Sequence, residues 1–193
     1  MTTVLLMGPP GAGKGTHAGL LAEHLGVPVI ATGDLFRSNI ADGTELGKTA
    51  QGYLDAGEYV PDEVTNGMVR DRLAESDAGP GFVLDGYPRT LDQAGVLDDI
   101  LGRQGRSLDA ALVLQVQPDT LVHRLLRRAE LEHRSDDTED VIRRRFEVYH
   151  AQTAPLFDLY ADRGIHHEVD ASADIDTVRT RVWQVAVQLK RAA

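Results

Sequence analysis

The chain contains no cysteine among its 193 residues. Disulfide bonds, thiolate metal sites and cysteine nucleophiles are therefore excluded, and a cytoplasmic, reducing environment is expected. The chain also lacks an apolar run long enough to cross a bilayer, and its opening stretch TTVLLMG is too short and too uncharged for a signal peptide. Lys and Arg number 20 against 30 Asp and Glu, so the net charge is −10. Broad binding to nucleic acid or to anionic membranes is disfavoured, and any anionic ligand must be met by a local cluster of cations.

The length suits a single domain with a full hydrophobic core, and there are no repeats or low-complexity segments. Short apolar stretches predict β-strands at Thr3–Met7, Val27–Ala31, Gly81–Asp85, Ala110–Val116 and His166–Val169. Helical patterns separate them at Lys14–Leu25, Asp34–Ala41, Glu45–Asp55, Pro61–Glu75, Thr90–Arg103, Pro118–Ala129, Thr138–Tyr160 and Asp174–Lys190. This alternation predicts an α/β fold, a doubly wound five-stranded parallel sheet flanked by helices. Residues 32–81 hold helices but no strand, which predicts a helical excursion.

The segment GPPGAGKGT follows a predicted strand and opens a predicted helix. Its glycines allow backbone N–H groups to converge on phosphate oxygens at a helix N-terminus, and Lys14 adds a point charge. We interpret the segment as a P-loop that binds a nucleoside phosphate, in preference to a plain glycine-rich turn. The usual P-loop places Ser or Thr directly after the lysine to hold Mg²⁺. Here Gly15 takes that place and Thr16 comes one position late, so the metal must be handled differently.

The strand GFVLD ends at Asp85 and is followed by GYPR. An aspartate at the carboxyl end of a strand beside a P-loop lies where ligands of this fold bind, and it can hold Mg²⁺ through water. The alternative is a turn or helix-capping aspartate. Gly86, Pro88 and Arg89 predict a tight turn that directs a guanidinium into the same crevice.

Two predicted helices carry arginines close to their apolar sides. In DTLVHRLLRRA, Arg124 and Arg128 border a sector that contains Leu121, Val122, Leu125 and Leu126. In TEDVIRRRFEVYH, Arg145 falls inside the apolar sector, whereas Arg143 and Arg144 fall outside it. A guanidinium directed at a core is costly unless it meets an anion. That anion is either a bound phosphate or a structural carboxylate such as Asp136, Asp137 or Glu139, and the helical phase leaves both open.

Six motifs, in order and at matching spacings, are similar to those of adenylate kinases with a short lid. They are GPPGAGKGT, ATGDLFR, GEYVPDEVT, LDGYPRTLDQA, HRLLRR and RSDDTEDVIRRRFEVYHAQTAPLFDLY. The resemblance implies one P-loop kinase domain with a core of residues 1–31, 61–126 and 138–193, an NMP-binding subdomain over 32–60 and a short lid over 127–137. It implies reversible, Mg²⁺-dependent transfer of the terminal phosphoryl group of ATP to AMP, giving two ADP. Another nucleoside monophosphate kinase, for UMP or CMP or for GMP, is the alternative.

The resemblance also implies which residues contact each nucleotide. For ATP these are Gly11, Ala12, Gly13, Lys14, Gly15, Thr16, Arg124, Arg128 and the carbonyl near Ala173. For AMP they are Thr32, Arg37, Glu58, Tyr59, Val60, Gly86, Tyr87, Pro88, Arg89, Gln93, Arg134 and Arg145. The implied catalytic set is Lys14, Asp85, Arg89, Arg124, Arg128, Arg134 and Arg145. Thr32 together with Gln93 resembles the arrangement that selects adenine.

Mg²⁺ is implied to lie between the donor phosphates, without a direct protein ligand, through waters near Asp85 and also near Asp34. Relatives with a long lid often carry zinc-binding cysteines, whereas only AELEH separates Arg128 from Arg134, and no zinc is expected here. The phosphate of AMP is already an anion near neutral pH, so the transfer needs alignment and charge neutralisation rather than a general base. The expected partners are ATP, AMP and ADP, with neither nucleic acid nor membrane, and the expected state is a monomer.

Other classes of P-loop protein fit less well. A small-molecule kinase would lack the TGDLFR and GYPRT segments, and a nucleotide switch would need a hydroxyl directly after Lys14 together with a guanine-reading motif. The expected lid, RRAELEHR, contains no glycine.

Overall fold

In the computed structural model, which describes residues 2–132 and 138–192, five parallel strands form one sheet. The strands are β1 (Thr2–Met7), β2 (Val29–Ala31), β3 (Gly81–Asp85), β4 (Ala110–Gln115) and β5 (His166–Asp170). Their order in the sheet is β2-β3-β1-β4-β5. The predicted fold class is confirmed.

Helices cover both faces of the sheet. They are α1 (Lys14–Leu25), α2 (Thr32–Ala41), α3 (Glu45–Asp55), α4 (Asp62–Leu73), α5 (Leu91–Arg103), α6 (Pro118–Glu132), α7 (Glu139–Val148), α8 (Pro155–Asp162) and α9 (Ile175–Ala192), with a 3₁₀ turn at Ser76–Ala78. Successive side chains of a strand point to opposite faces. On β1, Leu5 therefore packs in the core under α4, α5 and α8, while Leu6 packs in the core under α1 and α9. None of the helices in the described ranges is both long and apolar enough to cross a membrane.

The helical excursion comprises α2, α3 and α4, which lie between β2 and β3 in the chain. It has a small apolar core of its own, formed by Phe36, Ala50 and Val60 with partly buried neighbours. Gly47 of α3 lies so close to α2 that a Cβ would stand 2.1 Å from the carbonyl oxygen of Asn39. The glycine at position 47 therefore allows α2 and α3 to pack in direct contact.

The predicted single helix Thr138–Tyr160 is wrong in its second half. Helix α7 ends at Val148, a π-helical segment covers Tyr149–Thr153, and α8 begins at Pro155. The N–H of Ala154 donates to the carbonyl of Tyr149 at 3.1 Å, an i to i−5 bond. Pro155 has no N–H to continue the α-helical ladder, so the chain accommodates a wider turn before a new helix starts.

The apolar side of α6 is narrower than the periodicity predicts. Leu121 and Leu125 are buried, but Leu126 is 41% exposed. The reason is local: a Cβ on Gly11 would meet the Leu121 carbonyl oxygen and the Leu125 side chain, each at 3.0 Å. The side of α6 that carries Leu121 and Leu125 packs against the glycine-rich loop, and Leu126 points away from it towards solvent.

Candidate active site

The glycine-rich loop runs from the end of β1 to the start of α1. Gly8, Gly11 and Gly13 have φ angles of +143°, +81° and +90°, which glycine adopts without strain. At Gly8 a Cβ would also stand 2.8 Å from the carbonyl oxygen of Leu114 on β4. The Lys14 ammonium donates to the carbonyls of Gly8 (2.8 Å) and Pro9 (3.1 Å). The lysine therefore lies back across its own loop, at the N-terminus of α1.

Asp85 lies at the carboxyl edge of the sheet, in register with Leu6 of β1. Its carboxylate is next to the loop, since a Cβ on Gly15 would stand 4.0 Å from Asp85 Oδ2. Burial raises the pKa of the Asp85 carboxyl, and the charges of Lys14 and Arg89 act in the opposite direction. A carboxylate in this position fits the way proteins hold Mg²⁺ beside substrate phosphates, through one or two carboxylates and waters.

Three cations line one cleft. Lys14, Arg89 and Arg145 surround an open space of about 440 Å³ between the glycine-rich loop, the turn after β3 and the π-helical segment. Burial is the main cause that lowers the pKa of Lys14 to about 8; the charge of Asp85 opposes it, and the charges of Arg89, Arg145 and Arg128 add to it. In a chain of net charge −10, such a concentration of positive charge favours a polyanionic ligand.

The helical phase of α7 agrees with the structure. Arg145 faces the cleft, while Arg143 and Arg144 are exposed. Glu139, considered as a structural partner for Arg145, instead accepts a hydrogen bond from Arg143 at 2.6 Å. Asp136 and Asp137, the other carboxylates considered, lie outside the described residues, as does the candidate site residue Arg134.

Arg89 is held on the turn after β3 by backbone contacts. Its Nε donates to the Gly86 carbonyl at 2.8 Å, and its N–H donates to Gln93 Oε1 at 2.7 Å. Gly86 has a φ of +81°, and a Cβ there would stand 2.8 Å from Thr32 Oγ1 and 3.1 Å from Arg89 Nη2. Only glycine allows the turn, the threonine and the arginine to approach this closely.

The residues expected to read the acceptor base are buried and already bonded to protein. Thr32 Oγ1 donates to the Gly86 carbonyl at 2.9 Å. Gln93 is 1% exposed, and its Nε2 donates to Asp62 Oδ1 at 2.6 Å. A primary amide has two N–H donors and two acceptor lone pairs, so Gln93 retains one of each for a ligand. Arg37 is ion-paired with Asp34 on the same helix.

The connection between α3 and α4 contributes three candidate residues with different surroundings. Val60 is buried in the small core of the excursion, Tyr59 lines the cleft, and Glu58 accepts a hydrogen bond from Arg144 at 2.6 Å. The Tyr87–Pro88 peptide is cis, and both residues of this pair line the cleft. The buried Tyr87 hydroxyl donates to Asn66 Oδ1 at 2.7 Å, so its side chain is part of the fold.

Arg124 and Ala173, which are both expected to contact ATP, are far apart in sequence but adjacent in the structure. Arg124 Nη2 donates to the carbonyls of Ala171 (3.1 Å) and Ala173 (3.3 Å) in the loop after β5. Arg124 also lies near His17 on α1; burial first, and this positive charge second, lower the pKa of His17. Ala12 is buried in the loop, while Gly15 and Thr16 are exposed at the start of α1.

Sequence reasoning missed several residues around the cleft. Tyr149 and Thr153 line it from the π-helical segment, and Pro10 lines it from the loop. Asp62 is connected to the cleft through Gln93, which donates to Asp62 and accepts a hydrogen bond from the N–H of the cleft residue Arg89. The proline after AQTA was the one local sign of the helix interruption, but no motif marks a threonine on its inner side. Among the described residues, no group of three or more His, Asp or Glu side chains is placed to hold a metal ion.

A parallel sheet with a glycine-rich phosphate loop, an aspartate on the adjacent strand and inward-facing arginines defines a P-loop phosphotransferase. The comparisons with known proteins give the particular family. Residues 6–165 match the family model described as Adenylate kinase, and the chain belongs to that family.

Named relatives match over nearly the whole chain. The adenylate kinase of Kocuria rhizophila is 57% identical over 94% of this chain and 97% of its own length. That of Nocardioides sp. is 55% identical over 94% of this chain and 95% of its own. That of Pseudarthrobacter chlorophenolicus is 52% identical with all of both chains covered. The chain is an adenylate kinase homologue and a phosphotransferase.

Proposed function

We propose that the chain catalyses reversible, Mg²⁺-dependent transfer of the terminal phosphoryl group of ATP to AMP, giving two ADP, and so serves adenine nucleotide homeostasis and nucleotide biosynthesis. The observation that carries this proposal is the convergence of Lys14, Arg89 and Arg145 on one cleft. The cleft lies between the phosphate loop and the helical excursion, so a donor and an acceptor phosphate can meet there.

Each cation has a role in this reaction. Lys14 and Arg128 neutralise donor phosphates, Arg89 holds the acceptor phosphate, and Arg145, together with Arg134, clamps the group in transfer. Phosphoryl transfer depends on positioning and on stabilising charge spread over the equatorial oxygens. A site in which neighbouring arginines already help to lower the pKa of Lys14 is suited to this task, because an anion relieves their repulsion.

The two bases are read by different sets of residues. Arg124 stacks on the donor adenine beside the carbonyl of Ala173, and Gln93 with Thr32 reads the acceptor adenine. The hydrogen bond between Arg124 and Ala173 supports the first assignment, because it places both on one surface. The remaining donor and acceptor capacity of Gln93 supports the second, since adenine presents one acceptor and one donor on its pairing edge.

Mg²⁺ supplies further neutralisation of phosphate charge when it is bound. Asp85 would hold it through water beside the phosphate loop. Asp34 would contribute from α2, where it is ion-paired with Arg37. The cysteine-free sequence supports a site without zinc.

We assign residues 32–60 to an acceptor-binding subdomain and 127–137 to a short lid. The separate apolar core of the excursion supports the first assignment. Within the lid, α6 continues to Glu132, so its first part extends the helix. Since one chain supplies every described candidate residue, we propose a monomeric catalytic unit, and its nucleotide substrates support a cytoplasmic location.

A coupled assay tests the proposed function. ATP-Mg²⁺ is offered with AMP, GMP, UMP or CMP, and diphosphate formation is followed, with nucleotide analysis to confirm two ADP per turnover. Preference for AMP by a factor of about 100 in kcat/KM is expected, because a bidentate amide contact to a base is worth about 1–3 kcal/mol of discrimination. Preference for another monophosphate would identify one of the alternative kinases, and no turnover with any of them would overturn the proposal.

A further inference from the structure

We propose that Tyr59 and Thr153 are positioning residues for Arg89, and that they hold its guanidinium in the orientation that receives the acceptor phosphate. This inference rests on the proposed function, in which Arg89 binds that phosphate. Tyr59 comes from the connection between α3 and α4, and Thr153 from the π-helical segment. Both line the cleft beside Arg89.

The hydrogen bonds among the three residues have a defined direction. The carbonyl of Arg89 can only accept, so Thr153 Oγ1, at 2.9 Å, donates to it. A threonine hydroxyl has a single proton. The Tyr59 hydroxyl, 2.9 Å from Thr153 Oγ1, must therefore be the donor in the second bond. The result is a chain that runs from Tyr59 through Thr153 to the Arg89 backbone.

The Tyr59 ring makes a second contact with the same arginine. The guanidinium carbon of Arg89 lies 4.7 Å from the ring centroid, within the range of cation–π attraction. Arg89 Nε also donates to the Gly86 carbonyl at 2.8 Å. The arginine is thus fixed at its carbonyl, at Nε and on one face of its guanidinium, and none of these contacts uses its Nη groups.

The π-helical segment explains how Thr153 reaches this position. Thr153 is the last residue of the segment and is only 4% exposed. The same stretch of chain follows α7, which carries Arg145 into the cleft. Helix α7 and the π-helical segment that continues it therefore position two arginines, one directly and one through a hydroxyl, and Tyr59 links this stretch to the acceptor-binding subdomain.

Single substitutions separate the hydroxyl chain from the ring. Tyr59→Phe and Thr153→Val each break the hydroxyl chain and should lower kcat/KM for AMP about 3- to 10-fold, while KM for ATP stays within about twofold. Tyr59→Leu also removes the ring and should cost more than Tyr59→Phe. Thr153→Ser keeps the hydroxyl and should restore most of the activity. Tyr53→Phe, at a tyrosine 38% exposed on α3, is the matched control.

A variant with both substitutions tests whether the two hydroxyls act through Arg89. If both hydroxyls act through Arg89, Tyr59→Phe combined with Thr153→Val should be no worse than the poorer single variant, and Tyr59→Phe should have little further effect in an Arg89→Lys background. Thermal unfolding of every variant is measured alongside. Additive losses, or equal losses for both nucleotides with a lowered Tm, would overturn the positioning role. Preference of the parent for another monophosphate would refute the proposed function alone, and the same variants would then be measured with that acceptor.

Discussion

Gln93 and Asp62 are joined by a hydrogen bond of 2.6 Å from Nε2 to Oδ1, and Asp62 Oδ2 accepts from Thr90 Oγ1, also at 2.6 Å. The Arg89 N–H holds Gln93 Oε1 from the other side. Reversal of the amide would set its NH₂ group against an N–H donor and its oxygen against a carboxylate. Asp62 therefore fixes which end of the amide faces a bound base.

We expect Gln93→Leu to weaken AMP binding by about 1–3 kcal/mol and to leave KM for ATP nearly unchanged. The variant should also lose stability, because Asp62 Oδ1 and the Arg89 N–H lose a buried partner. Steady-state kinetics with each nucleotide varied, together with thermal unfolding, checks both effects. Gln184→Leu, at an exposed position on α9, is the matched control. An equal loss for ATP and AMP would mean that Gln93 does not read the acceptor.

Lys14→Met should lower kcat by roughly two orders of magnitude or more, equivalent to about 3 kcal/mol of transition-state stabilisation. The lysine is the cation on the phosphate loop itself, and the substitution removes that point charge. Cooperative unfolding should be retained. Lys48→Met is the control, since Lys48 is an exposed lysine of α3 paired with Glu45. Turnover near that of the parent would refute the phosphate-binding role of the loop.

The pH dependence of ATP binding follows from the same lysine. Burial and neighbouring arginines lower the pKa of Lys14 from 10.5 to about 8 in the free enzyme. Above that pH the side chain is neutral, so ATP affinity should fall as pH rises through 8, and binding near pH ~9 should take up a proton. Titration calorimetry in buffers of different ionisation enthalpy measures this uptake. The proton uptake should vanish in Lys14→Met. If it persists in that variant, a group other than Lys14 takes up the proton.

The lowered pKa of Lys14 affects folding stability in the opposite direction: ATP affinity falls as the pH rises, whereas the free energy of unfolding increases. Between pH 8 and 10.5, the two pKa values of Lys14 in the folded and unfolded chain, the unfolded chain holds more protons. The contribution of this group to the free energy of unfolding therefore rises with pH across that window.

Arg145→Met should abolish turnover while leaving the Tm of the free protein unchanged or raised, because it removes one of several mutually repelling cations. It should also raise the pKa of Lys14, since the charge of Arg145 helps to lower it. Differential scanning calorimetry and the pH profile of ATP binding measure the two effects. Arg143→Met, at an exposed arginine of α7, is the control. A large drop in Tm would instead show that the contacts of Arg145 within the protein stabilise the fold by more than its repulsion with the other cations costs.

The local features of the site could be predicted from sequence, because each depends on a few consecutive residues. The phosphate loop, the strand ending at Asp85 and the inward phase of Arg145 belong to this class. The bonds between Gln93 and Asp62 and between Glu58 and Arg144 could not be predicted, since they join side chains 31 and 86 positions apart. The inner position of Thr153 depends on an i to i−5 hydrogen bond, and helical periodicity assumes i to i−4 throughout.

The proposed lid, residues 127–137, contains no glycine. Helix α6 continues through Ala129 to Glu132, while His133 lies outside the described residues. Glycine reaches more backbone conformations than either residue and weakens a helical turn by about 1 kcal/mol. Opening and product release limit turnover in many closing enzymes. If lid opening limits turnover here, Ala129→Gly combined with His133→Gly should raise kcat. The same variant should raise KM, because its closed state is less ordered.

Two measurements decide whether lid opening is the slow step. Steady-state turnover in the ADP-forming direction compares the parent with the double glycine variant, and a rapid-quench experiment looks for a burst of ADP in the first turnover. A burst in the parent that shrinks as kcat rises in the variant is the expected result, because faster opening releases product sooner. If the parent shows no burst and the variant is no faster, chemistry limits the rate. The lid composition then has no kinetic consequence, since opening already outpaces phosphoryl transfer.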